Sequence, residues 1–143
     1  MREIHRSAIV PYSAEAMFAL VADVDAYQEF VPGCTESSVD ASDDGEVVAS
    51  LGLALSGQTG HFTTRNRLQP PTHIHMTLVE GPFSELEGDW RIESLGDDGC
   101  RLDLHMRFAF SNRLKDMLLG PIFELTCNHL VDAFVKRAKQ LHG

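Results

Sequence analysis

The stretch that decides the fold is the C-terminal segment 112–142, which reads NRLKDMLLGPIFELTCNHLVDAFVKRAKQLH. Its apolar and small side chains recur at steps of three and four residues, which predicts one long amphipathic helix with Ser111 or Asn112 as its cap. The Gly120-Pro121 pair predicts a kink or a restart, because proline removes a helical hydrogen bond and clashes one turn back. The predicted buried stripe comprises Leu114, Met117, Leu118, Ile122, Leu125, Leu130, Ala133, Phe134, Ala138 and Leu141.

The size and composition of the chain indicate one globular domain spanning residues 1–143. Hydrophobic residues make up 43% and charged residues 23% of the chain, which is ordinary for a globular protein. No apolar run approaches the roughly 20 residues that span a bilayer, and residues 1–5 lack the apolar core of a signal peptide. Three cysteines without a close-spaced pair argue against a disulfide framework or zinc knuckle. We therefore expect a protein of the reducing cytoplasm.

The charge of the chain is unevenly distributed. The net charge of −9 argues against general nucleic-acid binding by phosphate neutralisation. Residues 113–143 hold five Lys or Arg against three Asp or Glu, a balance of +2, whereas residues 1–112 hold seven against eighteen, a balance of −11. We expect the basic residues of the helix to form its solvated outer face.

The first 110 residues predict a strand, two short helices and then six further strands. Residues 3–10 form the first strand, Ser13 caps a helix that closes at residues 23–25, and a short second helix holds residues 26–30. Beyond residue 34, apolar and polar side chains alternate, which predicts strands with one buried and one wet face. Together these features predict an α+β fold, in which a curved seven-stranded antiparallel sheet wraps the C-terminal helix. The strands are separated by turn signals at residues 43–45, 57–60, 70–71, 81–82 and 97–99.

Three stretches narrow this architecture to a known family. They are VADVDAYQEFVPGC at 21–34, EGPFSELEGDW at 80–90 and VDAFVKRA at 131–138. With the element order, they resemble the helix-grip, START-like family of coenzyme Q-binding proteins and the bacterial ribosome-association toxin, over essentially the whole chain. Gln28 stands where that family usually has proline. Gly33 stands where it often has tryptophan, which removes an aromatic wall from the predicted pocket mouth.

The resemblance implies non-enzymatic binding of an isoprenoid quinone such as ubiquinone, in support of respiration, with no further cofactor required. The residues alone leave open whether the space between sheet and helix is a packed core or a pocket. Thr64 and Asn66 point inward and either bond each other or the backbone, or hold a ligand carbonyl. The ligand would enter where the loop at 27–32 and the turn at 81–83 approach the last helix. The predicted ligand contacts are Phe30, Val31, Thr64, Asn66, Met76, Phe83, Trp90, Met106 and Phe108.

Two other functions stay open. The resemblance implies, as the alternative, a toxin that binds the large ribosomal subunit and blocks subunit joining, with a small antitoxin as partner. Its predicted contacts are Lys136, Arg137 and Lys139 at the basic end of the helix. The third function is a polyketide cyclase or aromatase, but no nucleophile elbow, phosphate loop or inward acid pair appears, so no catalytic residue is predicted. A cytoplasmic protein with peripheral contact to the inner membrane is compatible with the first function.

The histidines do not predict a metal site. His73 and His75 share one strand face and, with His61, could mimic one. All three fall on the predicted wet face, so we expect surface histidines, no metal ligand and no metal requirement for folding. His129 falls on the helical stripe, where we expect an interior or rim position.

Overall fold

The computed structural model describes residues 1–55 and 57–143, with the backbone alone for Gln58 and Asp98. The predicted α+β fold is confirmed, in the predicted order of elements. A single 3-10 turn, Val24–Ala26, joins the two short helices. The elements are β1 (Arg2–Val10), α1 (Ala14–Ala22), α2 (Tyr27–Phe30), β2 (Cys34–Asp43), β3 (Glu46–Leu55), β4 (Gln58–Gln69), β5 (His73–Glu80), β6 (Phe83–Ser94), β7 (Cys100–Phe110) and α3 (Arg113–His142).

The seven strands form one sheet in the order β1-β7-β6-β5-β4-β3-β2, and every neighbouring pair is antiparallel. The chain meanders from β2 to β7, and β1 closes the far edge beside β7. The register shifts between Thr63 and Thr64 in β4 and between Phe83 and Glu85 in β6. Such irregularities bend strands, which suits a sheet that curves around α3.

Side chains cap the two principal helices as the sequence predicts. Ser13 Oγ accepts a hydrogen bond from the Ala16 N–H at 3.1 Å and starts α1. Asn112 Oδ1 accepts one from the Lys115 N–H at 2.8 Å and starts α3. Each cap pairs a backbone donor that the helix itself leaves without a partner.

The predicted stripe of α3 is wrong in its first half and at its end. Phe134 and Ala138 are buried as predicted, and Ile122, Leu130 and Ala133 are half-buried. The buried face actually runs through Gly120, Phe123, Cys127, Val131, Phe134 and Ala138. Apolar residues surround the first half of the helix on most sides, so spacing alone did not define which side faces the sheet. The five predicted stripe residues that are instead 55–67% exposed are Leu114, Met117, Leu118, Leu125 and Leu141.

Pro121 does not restart the helix, because α3 is continuous from Arg113 to His142. The carbonyl that loses its hydrogen-bond donor belongs to Met117, one turn earlier. Both Pro121 and Met117 lie on the exposed side, where water can replace the missing donor.

The expectation that no segment is apolar enough to cross a membrane also needs correction, because α3 meets that test by length and composition. Here α3 packs one face on the sheet, and 33% of the relevant window is buried.

Two arginines of the edge strand β1 hold α3 in its orientation. These contacts were not predicted from the sequence. Arg2 donates to the backbone carbonyl of Asp116 at 3.2 Å, and its guanidinium lies 3.7 Å from the Glu124 carboxylate. Arg6 donates to the Asn128 carbonyl at 2.7 Å, one helical turn beyond Glu124 and twelve residues beyond Asp116. A Cβ at Gly120 would overlap the Arg2 guanidinium. We call Arg2 and Arg6 the arginine clamp.

Substitution on opposite sides of α3 should separate the observed buried face from the predicted one. Phe134→Ala should lower the free energy of unfolding by about 3–5 kcal/mol, because it leaves a cavity in the core. Leu118→Ala, on the exposed side, should change it by no more than about 0.5 kcal/mol. Urea denaturation followed by circular dichroism measures both. A Leu118→Ala cost that approaches the Phe134→Ala cost would mean that the helix is rotated from the orientation described.

Candidate functional site

A cavity lies between the inner face of the sheet and the buried face of α3. The space between its lining atoms is about 770 Å³ and includes a part that opens to solvent. The space that the centre of a water molecule can occupy is only about 70 Å³. This smaller volume limits what the cavity can hold, so the cavity is narrow. A ligand of more than a few atoms fits only if lining side chains move.

Six of the nine predicted contact residues line this cavity, and three do not. The lining includes Val31, Thr64, Asn66, Met76, Trp90 and Met106. Phe108 is fully buried with its ring centroid 4.7 Å from that of Phe123, and Phe83 stacks on Phe110 at 4.6 Å. The ring of Phe30 lies under the Arg137 guanidinium at 5.1 Å. These three phenylalanines pack against other side chains and are not among the residues that line the cavity.

The hydroxyl groups of the cavity are already committed to protein partners. Thr64 Oγ1 donates to Asn66 Oδ1 at 2.8 Å, so the two inward polar residues bond each other. The Tyr27 hydroxyl donates to the Val21 carbonyl, and Thr126 Oγ1 donates to the Ile122 carbonyl at 3.1 Å. None of the three hydroxyl protons is therefore available to a ligand.

Two nitrogen donors of the cavity have no such partner. Among the described residues, no group accepts a hydrogen bond from Asn66 Nδ2 or from Trp90 Nε1, and neither atom is among the fully buried ones without a partner, so both have open space beside them. Asn66 lies opposite Met76 and Trp90 lies opposite Ile74, so the two residues occupy different register positions on the inner face. Each donor is therefore open to a partner that enters the cavity. A ligand with carbonyl oxygens at these positions would accept a hydrogen bond from each.

The described lining residues include no carboxylate, histidine, lysine or arginine. The groups that can titrate there are the thiols of Cys34 and Cys127 and the phenol of Tyr27. Burial raises the pKa of all three above their ordinary values, because an apolar environment disfavours the charged form. These groups are therefore protonated and neutral at pH 7, which suits the binding of an uncharged molecule.

The sequence reasoning missed the lining residues of the helices and one glycine. Tyr27 of α2, together with Phe123, Cys127 and Leu130 of α3, completes the wall. Phe123 and Cys127 were missed because the stripe of α3 was assigned to the wrong side, whereas Leu130 was on the predicted stripe but not among the predicted contacts. Gly88 was detectable as a glycine inside a strand. A Cβ there would lie 2.7 Å from Met106 Sδ and 2.8 Å from Met76 Cε, so its absence gives both methionine ends their room.

The predicted ribosome contacts are not equivalent. Lys136 and Lys139 are exposed. Arg137 is half-buried, pairs with Glu29 at 3.2 Å and covers the Phe30 ring. Arg137 therefore joins α3 to α2, and only the two lysines are free to contact another molecule.

The histidines differ from prediction in two ways. His129 is exposed, because it lies opposite the buried face of α3. His61 is exposed, as predicted, and pairs with Glu36 at 3.0 Å. It does not join His73 and His75, which are half-buried on the outer face of the sheet and face Asp89. The absence of a metal requirement for folding stays a prediction.

Comparisons with known proteins confirm the resemblance. Residues 10–135 match the family described as polyketide cyclase / dehydrase and lipid transport. The chain is 44% identical over 140 residues to the ribosome association toxin RatA of Pseudomonas aeruginosa, which covers 98% of this chain and 97% of that protein. It is 29% identical over 145 residues to the mitochondrial coenzyme Q-binding protein COQ10 homolog B of Xenopus laevis, which covers 99% of this chain and 59% of that protein. The Zhui aromatase/cyclase of Streptomyces sp. R1128 shares the fold, with a TM-score of 0.86 and 20% identity over 97% of this chain and 94% of that one.

The burial of Cys127 predicts slow and strongly pH-dependent alkylation. Only the thiolate reacts, and burial raises the pKa of Cys127. Native Cys127 should react with iodoacetamide at least about a thousandfold more slowly than unfolded protein, because burial keeps nearly all of the thiol in its unreactive protonated form. Its rate should keep rising above pH 9, where a free thiol levels off. Peptide mass spectrometry measures the rate. Leu118→Cys, on the exposed side of the same helix, is the control and should react as a free thiol; rapid native labelling of Cys127 would contradict the described packing.

Proposed function

We propose that this chain, which belongs to the polyketide cyclase / dehydrase and lipid transport family, binds an isoprenoid quinone such as ubiquinone without changing it chemically. The observation that carries the proposal is the pair of unpartnered donors, Asn66 Nδ2 and Trp90 Nε1, in an otherwise apolar cavity. A quinone offers two carbonyl acceptors on a flat apolar ring, and its tail needs apolar walls. Few polar groups in an apolar pocket are typical of sites that orient a small ligand.

The character of the lining supports binding over catalysis. The cavity wall contains no described group that could donate or accept a proton near pH 7, which a cyclase or aromatase mechanism would need. The flexible ends of Met76 and Met106 face the narrow space, and thioether side chains adapt readily to a bound apolar molecule. The relative named as a coenzyme Q-binding protein supports the same ligand class.

A second function is favoured by a separate observation. The chain is 44% identical, over nearly its whole length, to a protein named a ribosome association toxin. In a chain with a net charge of −9, Lys136 and Lys139 form an exposed basic pair one helical turn apart. We propose that this pair contacts the large ribosomal subunit in the cytoplasm, so that the protein blocks subunit joining, and that a small antitoxin opposes it. The pair lies outside the cavity lining, so the two functions are separable by mutation.

Removal of the Asn66 donor should weaken quinone binding selectively. Trp90 is the only tryptophan of the chain, so saturable quenching of its fluorescence by a short-chain ubiquinone reports binding. Asn66→Leu should raise the Kd about tenfold, which corresponds to the loss of one hydrogen bond. Thr126→Val is the matched control. It removes a cavity hydroxyl that is already committed to Ile122, and it should change the Kd by no more than about threefold.

Two results would contradict the ligand assignment. One is the absence of saturable binding to the wild-type protein by both fluorescence and isothermal titration calorimetry. The other is an equal loss of affinity in Asn66→Leu and Thr126→Val, which would mean that the amide makes no specific contact.

Neutralising the basic pair should test the second function without disturbing the first. The double variant Lys136→Gln/Lys139→Gln should co-sediment less with the large ribosomal subunit and show a weaker dependence on salt, because fewer phosphate contacts release counterions. It should bind ubiquinone with unchanged Kd. Arg113→Gln/Lys115→Gln removes an exposed basic pair from the other end of α3 and should co-sediment as the wild type does. If the first double variant retains full co-sedimentation and salt dependence, the basic pair is not the contact.

A further inference from the structure

The outer face of the sheet carries a convergent group of possible metal ligands, on the side opposite the cavity. His73 and His75 lie two residues apart in β5, so both side chains are on the same face of the strand. Asp89 of β6 lies opposite His75 in the register. The residues that alternate with them, among them Met76 and Trp90, line the cavity on the other face. The group is therefore independent of the proposed ligand site.

The three side chains meet at one point. His73 Nε2 lies 2.6 Å and His75 Nδ1 lies 2.8 Å from the same oxygen, Oδ1 of Asp89. All three ligand atoms lie within 4.8 Å of one another. The three side chains are 21%, 34% and 19% exposed, respectively. They are thus held by their neighbours and still open to an ion from solvent.

A further carboxylate sits behind one of the imidazoles. His75 Nε2 lies 3.5 Å from Glu87 Oε2, and Glu87 also pairs with Arg107 of β7. Zinc at Nδ1 would take the place of the proton in the 2.8 Å hydrogen bond to Asp89 and release it to solvent, and the remaining imidazole proton would lie on Nε2, facing Glu87. A carboxylate behind a histidine is the usual support of a metal-binding imidazole. His61 has one carboxylate partner, Glu36, and lacks this arrangement.

We propose that His73 Nε2, His75 Nδ1 and Asp89 Oδ1 bind a zinc ion, with water completing the tetrahedron. Two neutral imidazoles and one carboxylate are ligands that zinc prefers, whereas Mg²⁺ prefers oxygen ligands alone. Tetrahedral zinc bonds of 2.0–2.2 Å place ligand atoms about 3.3–3.5 Å apart. The Asp89 oxygen thus needs to withdraw by less than about 1 Å, which rotation of its side chain provides. The ion binds to the surface of a sheet that is already formed, so folding does not require it.

Zinc titration of the protein without a histidine tag tests the site. After removal of metal with EDTA and exchange into metal-free buffer, Zn²⁺ is titrated in competition with a chromophoric chelator. The wild type should bind one equivalent, and excess Mg²⁺ should not displace it. His73→Gln, His75→Gln and Asp89→Asn should each weaken binding at least tenfold. The matched control His61→Gln removes an imidazole with a single carboxylate partner and should leave the affinity unchanged.

A measurement on the wild type keeps the proposal testable if a variant fails to fold. Zinc should shift the imidazole ¹⁵N resonances of His73 at Nε2 and of His75 at Nδ1, and leave those of His5, His61 and His129 in place. Three results would overturn the proposal. They are the absence of saturable binding, an equal loss of affinity in His61→Gln, and zinc-induced shifts confined to other histidines.

Discussion

The structure depends on how the edge strand β1 holds α3 against the sheet. The arginine clamp reaches from the inner face of β1 to two backbone carbonyls of the helix, those of Asp116 and Asn128. Its charges also meet the carboxylates of Asp116, Glu124 and Asp132. Because the two arginines, four residues apart in β1, bind helix carbonyls that are twelve residues apart, they fix both the rotation of α3 and its position along its axis. The cavity exists only in that orientation, since Phe123, Cys127 and Phe134 then face the strands.

The fold could be predicted from the sequence because strands and turns are locally encoded. Alternation along residues 46–55 and 83–94 specifies a buried face by itself, and Asn112 marks the start of α3 by its own chemistry. The rotation of α3 is not locally encoded. In its first half, leucine and methionine occupy most sides of the helix, and the choice is made by Arg2 and Arg6, more than a hundred residues away. Long-range pairs of this kind leave no periodic signal.

The candidate site was predictable where it consists of strand residues. The inward positions of Thr64, Asn66, Met76, Trp90 and Met106 follow from alternation, and all five line the cavity. Phe83 and Phe108 also point inward, but their rings pack against Phe110 and Phe123 and do not line the cavity. Whether an inward side chain packs in the core or lines a cavity depends on how it fits against side chains that are distant in the sequence and come together only on folding. The sequence likewise does not show that Thr64 Oγ1 donates to Asn66 Oδ1 and leaves the Asn66 amide nitrogen without a partner. Only the distance between the two side chains in the structure shows this hydrogen bond.

The exposed leucines of α3 bear on the colloidal behaviour of the protein. Leu114, Leu118 and Leu125 project into solvent on the side away from the sheet, with Met117 beside them. At pH 7 the net charge of −9 keeps molecules apart. Near the isoelectric point of about 5.1 this repulsion vanishes, and burial of the leucine surface between molecules becomes the dominant force. The same helix that packs against the sheet in the monomer thus supplies the apolar surface through which molecules self-associate once the charge of the whole chain is neutralised.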